Sequence, residues 1–469
     1  MWQERLLEFI AIFFTIYLIG YSTYLFLSVV VGGIYLDKKN TMNKIHSELK
    51  HDYYYPISII VPAHNEGVVI IDSIKSLINL DYKNYEIIVV NDGSSDNTAQ
   101  VLIDHFKLNK TNRPIPLKLK CEPIKCIYEG KDNISGVTIT LVDKENGGKG
   151  DALNMGICVS KYPYFLCVDA DSVLKKDALE RIMQPVLENE KVIAVGGLVR
   201  VAQGVKVKAG EIISYLFPSN PIVAMQVMEY DRSFLASRIM NNYFNGNLII
   251  SGAIGLFKKD IVLNVGGYDS STLGEDMELV VKLHTFCRNN KMPYEIRYEP
   301  NAICWSQVPS SLKDLTTQRR RWHLGLFQSL LKYRRIFLNL KFGLIGFISY
   351  IYYLIYELLS PVIEIVGILV TILAAWHAEL NLKYMVLFYL VYILFGAILT
   401  VTAFFQRVYT EDVRMNKKDI IKAIFICIIE ALFFRFILSF IRITAFKGYG
   451  KKKLRWGSIK RESMENMDM

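Results

Sequence analysis

Residues 9–36 carry no charged side chain. This run of 28 is longer than the roughly 20 residues a helix needs to cross a bilayer. A cleaved signal peptide has an apolar region of roughly 7–15 residues followed by a small-residue cleavage site. The present run is too long, and its Tyr, Phe and Leu content offers no such site, so it is read as an anchor helix. Asp37, Lys38 and Lys39 follow it, then Lys44 and Lys50. Basic flanks mark the cytoplasmic side, which places the N-terminus outside.

The rest of the chain is of two kinds. Mean hydropathy is +0.23 over 469 residues, yet 21% are charged, so soluble and membrane-embedded segments must alternate. Residues 51–335 read as soluble. Short β-rich apolar runs at 57–63, 86–90, 137–142, 164–168 and 192–199 are separated by amphipathic stretches such as 68–80 and 96–106. That alternation predicts an α/β domain with a mainly parallel sheet covered by helices. In such sheets ligands sit beyond the carboxyl ends of strands. Residues 107–136, polar and containing Pro114, Pro116 and Pro123, read as a surface insertion. Residues 342–378 and 384–406 are membrane-like again, the first interrupted by Glu357, Pro361 and Glu364. Residues 420–444 are apolar but carry Lys422, Glu430, Arg435 and Arg442 at helical spacing. Charges are costly in lipid, so this segment is expected to be interfacial or to line a bundle. The division is therefore 1–50 anchor and linker, 51–335 cytoplasmic catalytic domain, 336–446 C-terminal transmembrane or interfacial helices, and 447–469 basic cytoplasmic tail. With the N-terminus outside, the number of crossings is odd, three or five.

Net charge is +10. The basic clusters Arg319–Arg320–Arg321, Lys332 with Arg334 and Arg335, Lys417–Lys418 and Lys451–Lys452–Lys453 all lie beside apolar segments. That placement fits anionic lipid headgroups at a membrane edge better than nucleic acid. Seven cysteines at irregular spacing form neither a disulfide framework nor a zinc pattern and are read as reduced packing residues.

The chemistry-bearing residues fall at strand ends. The first strand ends in Val61-Pro62-Ala63-His64-Asn65-Glu66 and the second in Asn91-Asp92-Gly93-Ser94-Ser95-Asp96. An Asp at such a tip either bonds a ribose or base, or simply makes a turn and caps a helix. After the third strand, Asn146-Gly147-Gly148-Lys149-Gly150-Asp151 combines glycines, whose backbone N–H groups can approach an anion, with a point charge. It is not a P-loop. The fourth strand ends in Asp169-Ala170-Asp171. Two carboxylates two residues apart repel one another unless a cation such as Mg²⁺ or Mn²⁺ lies between them; a solvated acidic turn is the plainer reading. Ser251-Gly252-Ala253 either lines a pocket or packs tightly. Gly274-Glu275-Asp276-Met277-Glu278 places acids where they cap a helix or where one serves as a general base. Gln318-Arg319-Arg320-Arg321-Trp322-His323 is either an interfacial anchor or part of a site.

Taken in order, Asp92, Asp169 with Asp171, Glu275-Asp276, and Gln318, Arg321 and Trp322 resemble the D, DxD, [TG]ED, QxxRW signature of the processive, membrane-integrated family 2 glycosyltransferases, the group of cellulose, hyaluronan and poly-N-acetylglucosamine synthases. The resemblance covers nearly the whole chain. It implies a GT-A fold and an inverting transferase that moves sugar from a UDP-sugar to a growing β-linked polysaccharide. It further implies Asp92 on the uracil or ribose, Lys149 and Asp169 at the diphosphate, and Asp171 as metal ligand beside Asp169. Asp276 would be the base, with Glu275 beside it, and Gln318, Arg321 and Trp322 would bind leaving group and acceptor. The chain departs from the pattern in reading Gly274 where cellulose synthases have Thr, and in continuing His323-Leu324-Gly325-Leu326 after Trp322. The rival readings are a transferase adding one sugar to a lipid acceptor and a catalytically silent membrane scaffold.

Overall fold

The computed structural model describes residues 2–46, 54–132, 134–208, 211–376, 382–411 and 416–447. The linker around Lys50 and the tail with Lys451–Lys453 lie outside the described residues.

Helix α1 (Trp2–His46) precedes β1 (Ile57–Ala63), α2 (Ile70–Ile78), β2 (Tyr85–Asp92) and α3 (Thr98–Phe106). Then come β3 (Asn109–Thr111), β4 (Ile124–Lys131), β5 (Thr138–Lys144), α4 (Lys149–Val159), β6 (Tyr164–Cys167), β7 (Ser172–Leu174) and α5 (Ala178–Glu188). Strand β8 (Val192–Val201) leads to the hairpin β9 (Val205–Lys208) and β10 (Glu211–Tyr215), and α6 (Pro221–Arg232) runs through a π-helical turn into α7 (Arg238–Asn242). Strand β11 (Gly255–Lys258), α8 (Lys259–Asn264), α9 (Glu275–Asn289), β12 (Glu295–Ser306) and α10 (Leu312–Lys332) complete the domain.

Ten strands form one sheet in the order β3-β4-β5-β2-β1-β6-β11-β8-β12-β7. Its centre, β5-β2-β1-β6, is parallel, as the buried apolar runs require. The sheet as a whole is mixed rather than mainly parallel: β4 lies antiparallel to β5, β11 to β6 and β8, and β7 to β12. The reason at β4 is chain length. Only residues 132–137 join it to β5, too few for the crossover that a parallel pair needs. The stretch 107–136 is thus not simply an insertion, because it supplies the sheet's edge strands β3 and β4. Their mostly half-buried or exposed side chains and their lysines suit an edge. Apolar side chains fill both faces, Ile57, Ile59, Val61, Ile87 and Val89 on one, Ile60, Ile88, Val90, Phe165 and Cys167 on the other.

The remaining helices are α11 (Ser360–Trp376), α12 (Leu382–Glu411), α13 (Lys417–Ile429) and α14 (Arg435–Ile443). Residues within α1, α12 and the continuous 417–446 segment are long and apolar enough to cross a membrane. So are Ile345–Leu358 and Ser360–Trp376 taken together, which meet at a 50° bend. Helix α1 is more than an anchor. Its Gly32 lies so close to the Leu235 carbonyl that a Cβ would stand 2.3 Å from that oxygen. Gln406 of α12 donates to the Val29 carbonyl, and Tyr24 donates to Asn241. The 417–446 segment packs against the catalytic domain along its length. Ala423 and Cys427 meet Val223, Ala224 and Val227 of α6. Leu438 and Ile441 meet Met225 and Leu315. Arg320 of α10 donates to the Thr444 carbonyl.

Candidate active site

The tip of β6 and the starts of α4 and α9 converge on one cavity of about 460 Å³. Lys149, Asp169, Asp171, Glu275, Asp276, Gln318, Arg321 and Trp322 all line it. Of the nine site residues read from sequence, only Asp92 does not. Its carboxylate is fully buried. It accepts from the backbone of Gly147 and Gly148 at 2.9 and 2.8 Å and from Lys144 Nζ at 2.7 Å. With both oxygens taken from inside, Asp92 does not present itself to a ribose or base here. It holds the glycine loop that precedes Lys149. Lys144 also pairs with Asp151 at 2.6 Å, locking the same loop to the first turn of α4. Gly148 stands at φ +88°, a conformation only glycine adopts freely.

The loop delivers Lys149 between two motifs. Its Nζ lies 2.6 Å from Asp169 and 3.8 Å from Glu275. Burial works against this charge, but Asp169 and Glu275 outweigh it and hold the ammonium well above its ordinary value. The Ser251-Gly252-Ala253 run now has its explanation: a Cβ on Gly252 would stand 2.8 Å from Lys149 Nζ. Burial also raises the Glu275 carboxyl; Lys149 and Arg321 oppose this and Asp276 adds to it. Asp276 opens α9, its Oδ1 accepting from the Met277 amide at 2.8 Å. Glu278, in the same motif, faces away. It is buried and binds Lys332 and Tyr333, both at the C-terminal end of α10.

Asp169 and Asp171 offer hard oxygen donors on the same wall, the kind Mg²⁺ or Mn²⁺ takes. Among the described residues there is no group of three or more His, Cys, Asp or Glu placed to hold a metal. The residues therefore fit a cation whose shell is completed by ligand oxygens, not one caged by protein.

Glu229 and Arg232, also in the lining, were not assigned a site role from sequence. Glu229 grips Arg319 with both oxygens, at 2.5 and 2.7 Å, and Arg232 grips Glu430 at 3.1 and 3.0 Å. Arg435 binds Glu364 at 2.8 Å and Tyr392 at 2.6 Å, and Arg442 lies 3.9 Å from Glu357. Glu357, Glu364, Glu430, Arg435 and Arg442 thus each meet an opposite charge. Alongside them Tyr21, Tyr352, Tyr353, Tyr356 and Tyr392 carry the same cavity in among the membrane helices. The spacing of lone charges in apolar sequence was the available signal; the partners lie up to 198 positions apart and sequence does not show them.

The profile described as glycosyl transferase family group 2 matches residues 164–434, and that of glycosyl transferase family 2 matches 58–121. A poly-beta-1,6-N-acetyl-D-glucosamine synthase of Staphylococcus epidermidis is 30% identical over 319 residues, 67% of this chain and 66% of that protein. The protein of the same name from Staphylococcus aureus (strain COL) is 29% identical over 320 residues, again 67% and 66%. The match thus spans just under two thirds of those relatives. A mannosyltransferase from Pyrobaculum calidifontis, solved with GDP-Man and Mn²⁺, superposes with a TM-score of 0.50 over 89% of this chain and 99% of that one, at 18% identity. That likeness is one of fold, and the fold is the GT-A type.

Proposed function

Because this chain belongs to the family 2 glycosyltransferases, we propose that it transfers N-acetylglucosamine from its UDP donor onto a growing β-linked polysaccharide and passes the product out between its own membrane helices. The observation that carries this reading is the single cavity that holds the transfer motifs at one end and the membrane tyrosines at the other. The relatives' names supply the sugar.

The chemistry follows from the side chains. Asp276 takes the proton of the acceptor hydroxyl, whose oxygen bonds to the anomeric carbon as the carbon–oxygen bond to UDP breaks and UDP leaves with its electron pair. One displacement inverts the configuration, so an α-linked donor gives a β-linkage. Lys149 and Arg321 offset charge on the departing diphosphate. Asp169 and Asp171 would hold Mg²⁺ or Mn²⁺, which supplies further positive charge there. Trp322, 40% exposed, offers a flat apolar face for the acceptor sugar.

The proposed topology is N-terminus out, catalytic domain in the cytoplasm, and three crossings: α1, the bent pair 345–376, and α12. Residues 417–446 are long enough to be a fourth, but both ends pack on α6 and α10 of the catalytic domain. This supports an interfacial helix and keeps the tail inside. Membrane lipids would cover the outward apolar faces, for example Ile16, Leu373, Leu394 and Phe425.

Purified full-length enzyme with a panel of labelled UDP-sugars, with and without EDTA, tests the reading. Long polymer from UDP-N-acetylglucosamine, lost in EDTA and restored by Mg²⁺ or Mn²⁺, is expected. One sugar on a lipid would replace the processive reading, and no turnover with any donor would overturn it.

A further inference from the structure

The basic cluster 319–321 reads in sequence as a membrane anchor, yet Arg319 is buried. It sits on α10 three residues before Trp322, and its guanidinium carbon lies 4.7 Å from the centre of the Trp322 ring. A guanidinium at that distance is a cation–π contact, and the planar group covers one face of the indole. The guanidinium is itself clamped by Glu229, which reaches it from α6, 90 positions away, through two hydrogen bonds to NH1 and NH2. Such fork-to-fork pairing fixes the plane of the guanidinium as well as its position. Burial opposes the charge of Glu229, but Arg319 outweighs it and holds the carboxyl below its ordinary value.

We propose that Glu229 is a positioning residue for the acceptor: through Arg319 it sets the angle of the Trp322 ring and closes one of its two faces, leaving the other as the stacking surface for the terminal sugar. This rests on the reading of Trp322 as the acceptor platform. Glu229 itself takes no part in the bond exchange. Its effect is on where the acceptor hydroxyl stands relative to Asp276, so it is felt in acceptor binding and not in donor binding. Arg319→Lys keeps the charge but has neither the fork nor the planar face, and should behave like loss of Glu229.

The test uses full-length enzyme, UDP-N-acetylglucosamine and a short β-1,6-linked N-acetylglucosamine oligomer as acceptor probe. Glu229→Gln should raise the acceptor KM roughly tenfold, the scale of one partly buried cation–π contact with its clamp, while the donor KM stays put. Glu229→Asp should recover part of the loss. In a variant whose other four tryptophans are Phe, Glu229→Gln should shift Trp322 emission and increase its quenching by acrylamide. In a Trp322→Leu background Glu229→Gln should add nothing further to the acceptor KM. Multiplying effects in that double variant, or a fall in kcat with both KM values unchanged, would overturn the proposal. Retained UDP binding shows that the variant is folded. If Trp322→Leu alone leaves the acceptor KM unchanged, the acceptor platform is wrong. If Trp322→Leu raises it and Glu229→Gln does not, the platform stands and the positioning role fails.

Discussion

Gly274 and Gly325 touch backbone to backbone. A Cβ built on Gly274 would stand 2.9 Å from the Gly325 Cα, and one built on Gly325 would stand 2.7 Å from the Gly274 Cα and amide nitrogen. The first precedes Glu275 and Asp276; the second follows Arg321 and Trp322 by one turn of α10. The two departures from the family pattern are therefore one contact, which lets α10 lie directly on the start of α9 and brings Asp276 and Trp322 to the same wall.

Gly325→Ala should force these backbones apart. Overpacking against main chain costs roughly 1–3 kcal/mol, and the shift should separate Asp276 from Trp322. The expected result is a large loss of transfer with UDP binding retained, measured by polymer synthesis and by titration with UDP. Wild-type turnover in Gly325→Ala would mean that the contact is slack.

Asp276→Asn should lower transfer about 10²–10⁴-fold, the usual worth of one general base, and leave UDP binding largely intact. Single-turnover transfer beside equilibrium UDP binding separates the two. Residual activity within about tenfold of wild type, above the floor of that range, would remove Asp276 from the base role.

Stability should fall as the medium is acidified from about pH 6.5 to about pH 4, partly through His284. Burial holds this imidazole at about 4. Its Nε2 faces the Asn247 carbonyl, which only accepts, so Nε2 carries the proton and Nδ1 accepts from the Tyr294 hydroxyl. The unfolded chain takes up a proton near pH 6.5, the native state only near 4, so stability is lost as pH falls through that window. Thermal midpoints of the full chain in detergent should drop less steeply over that window in His284→Gln than in wild type. Identical slopes would show that His284 is not the group responsible.

In a cysteine-free background, single cysteines near residues 40, 130 and 455 should be shielded from a membrane-impermeant reagent in intact cells, and one in the 377–381 link should react. Labelling at 455 alone would turn 417–446 into a crossing helix.

Strand β1 was legible to the residue because a run of seven positions, six of them apolar and all buried, has few other uses. Strand β4 was not, since Ile124-Lys125-Cys126-Ile127-Tyr128-Glu129 at a sheet edge has neither a continuous apolar run nor clean alternation. Asp92, Lys149, Asp169 and Asp171 were legible because each ends or follows a strand, whereas Glu275 and Asp276 open α9 and Gln318, Arg321 and Trp322 lie on α10; the cavity gathers eight of these nine. Asp92 shows the limit. A strand-tip carboxylate reads the same whether it faces a ligand or a lysine 52 positions on, and only the fold tells which. Glu229 was illegible for the same reason: its partner is 90 positions away, and a glutamate in an amphipathic helix attracts no notice.

The three Arg–Glu pairs that involve the apolar C-terminal segments, Arg232–Glu430, Arg435–Glu364 and Arg442–Glu357, bear on an electrical question. Carrying one elementary charge through a membrane potential involves about 2.3 kcal/mol per 100 mV. A neutral glycan carries no charge through that potential, whatever fixed charges it passes, and it draws no counter-ions along with it. On the proposed route, then, the voltage across the membrane neither drives nor brakes export. Each added sugar must push the chain forward by itself, and dissipating the potential should leave the rate of polymer release unchanged.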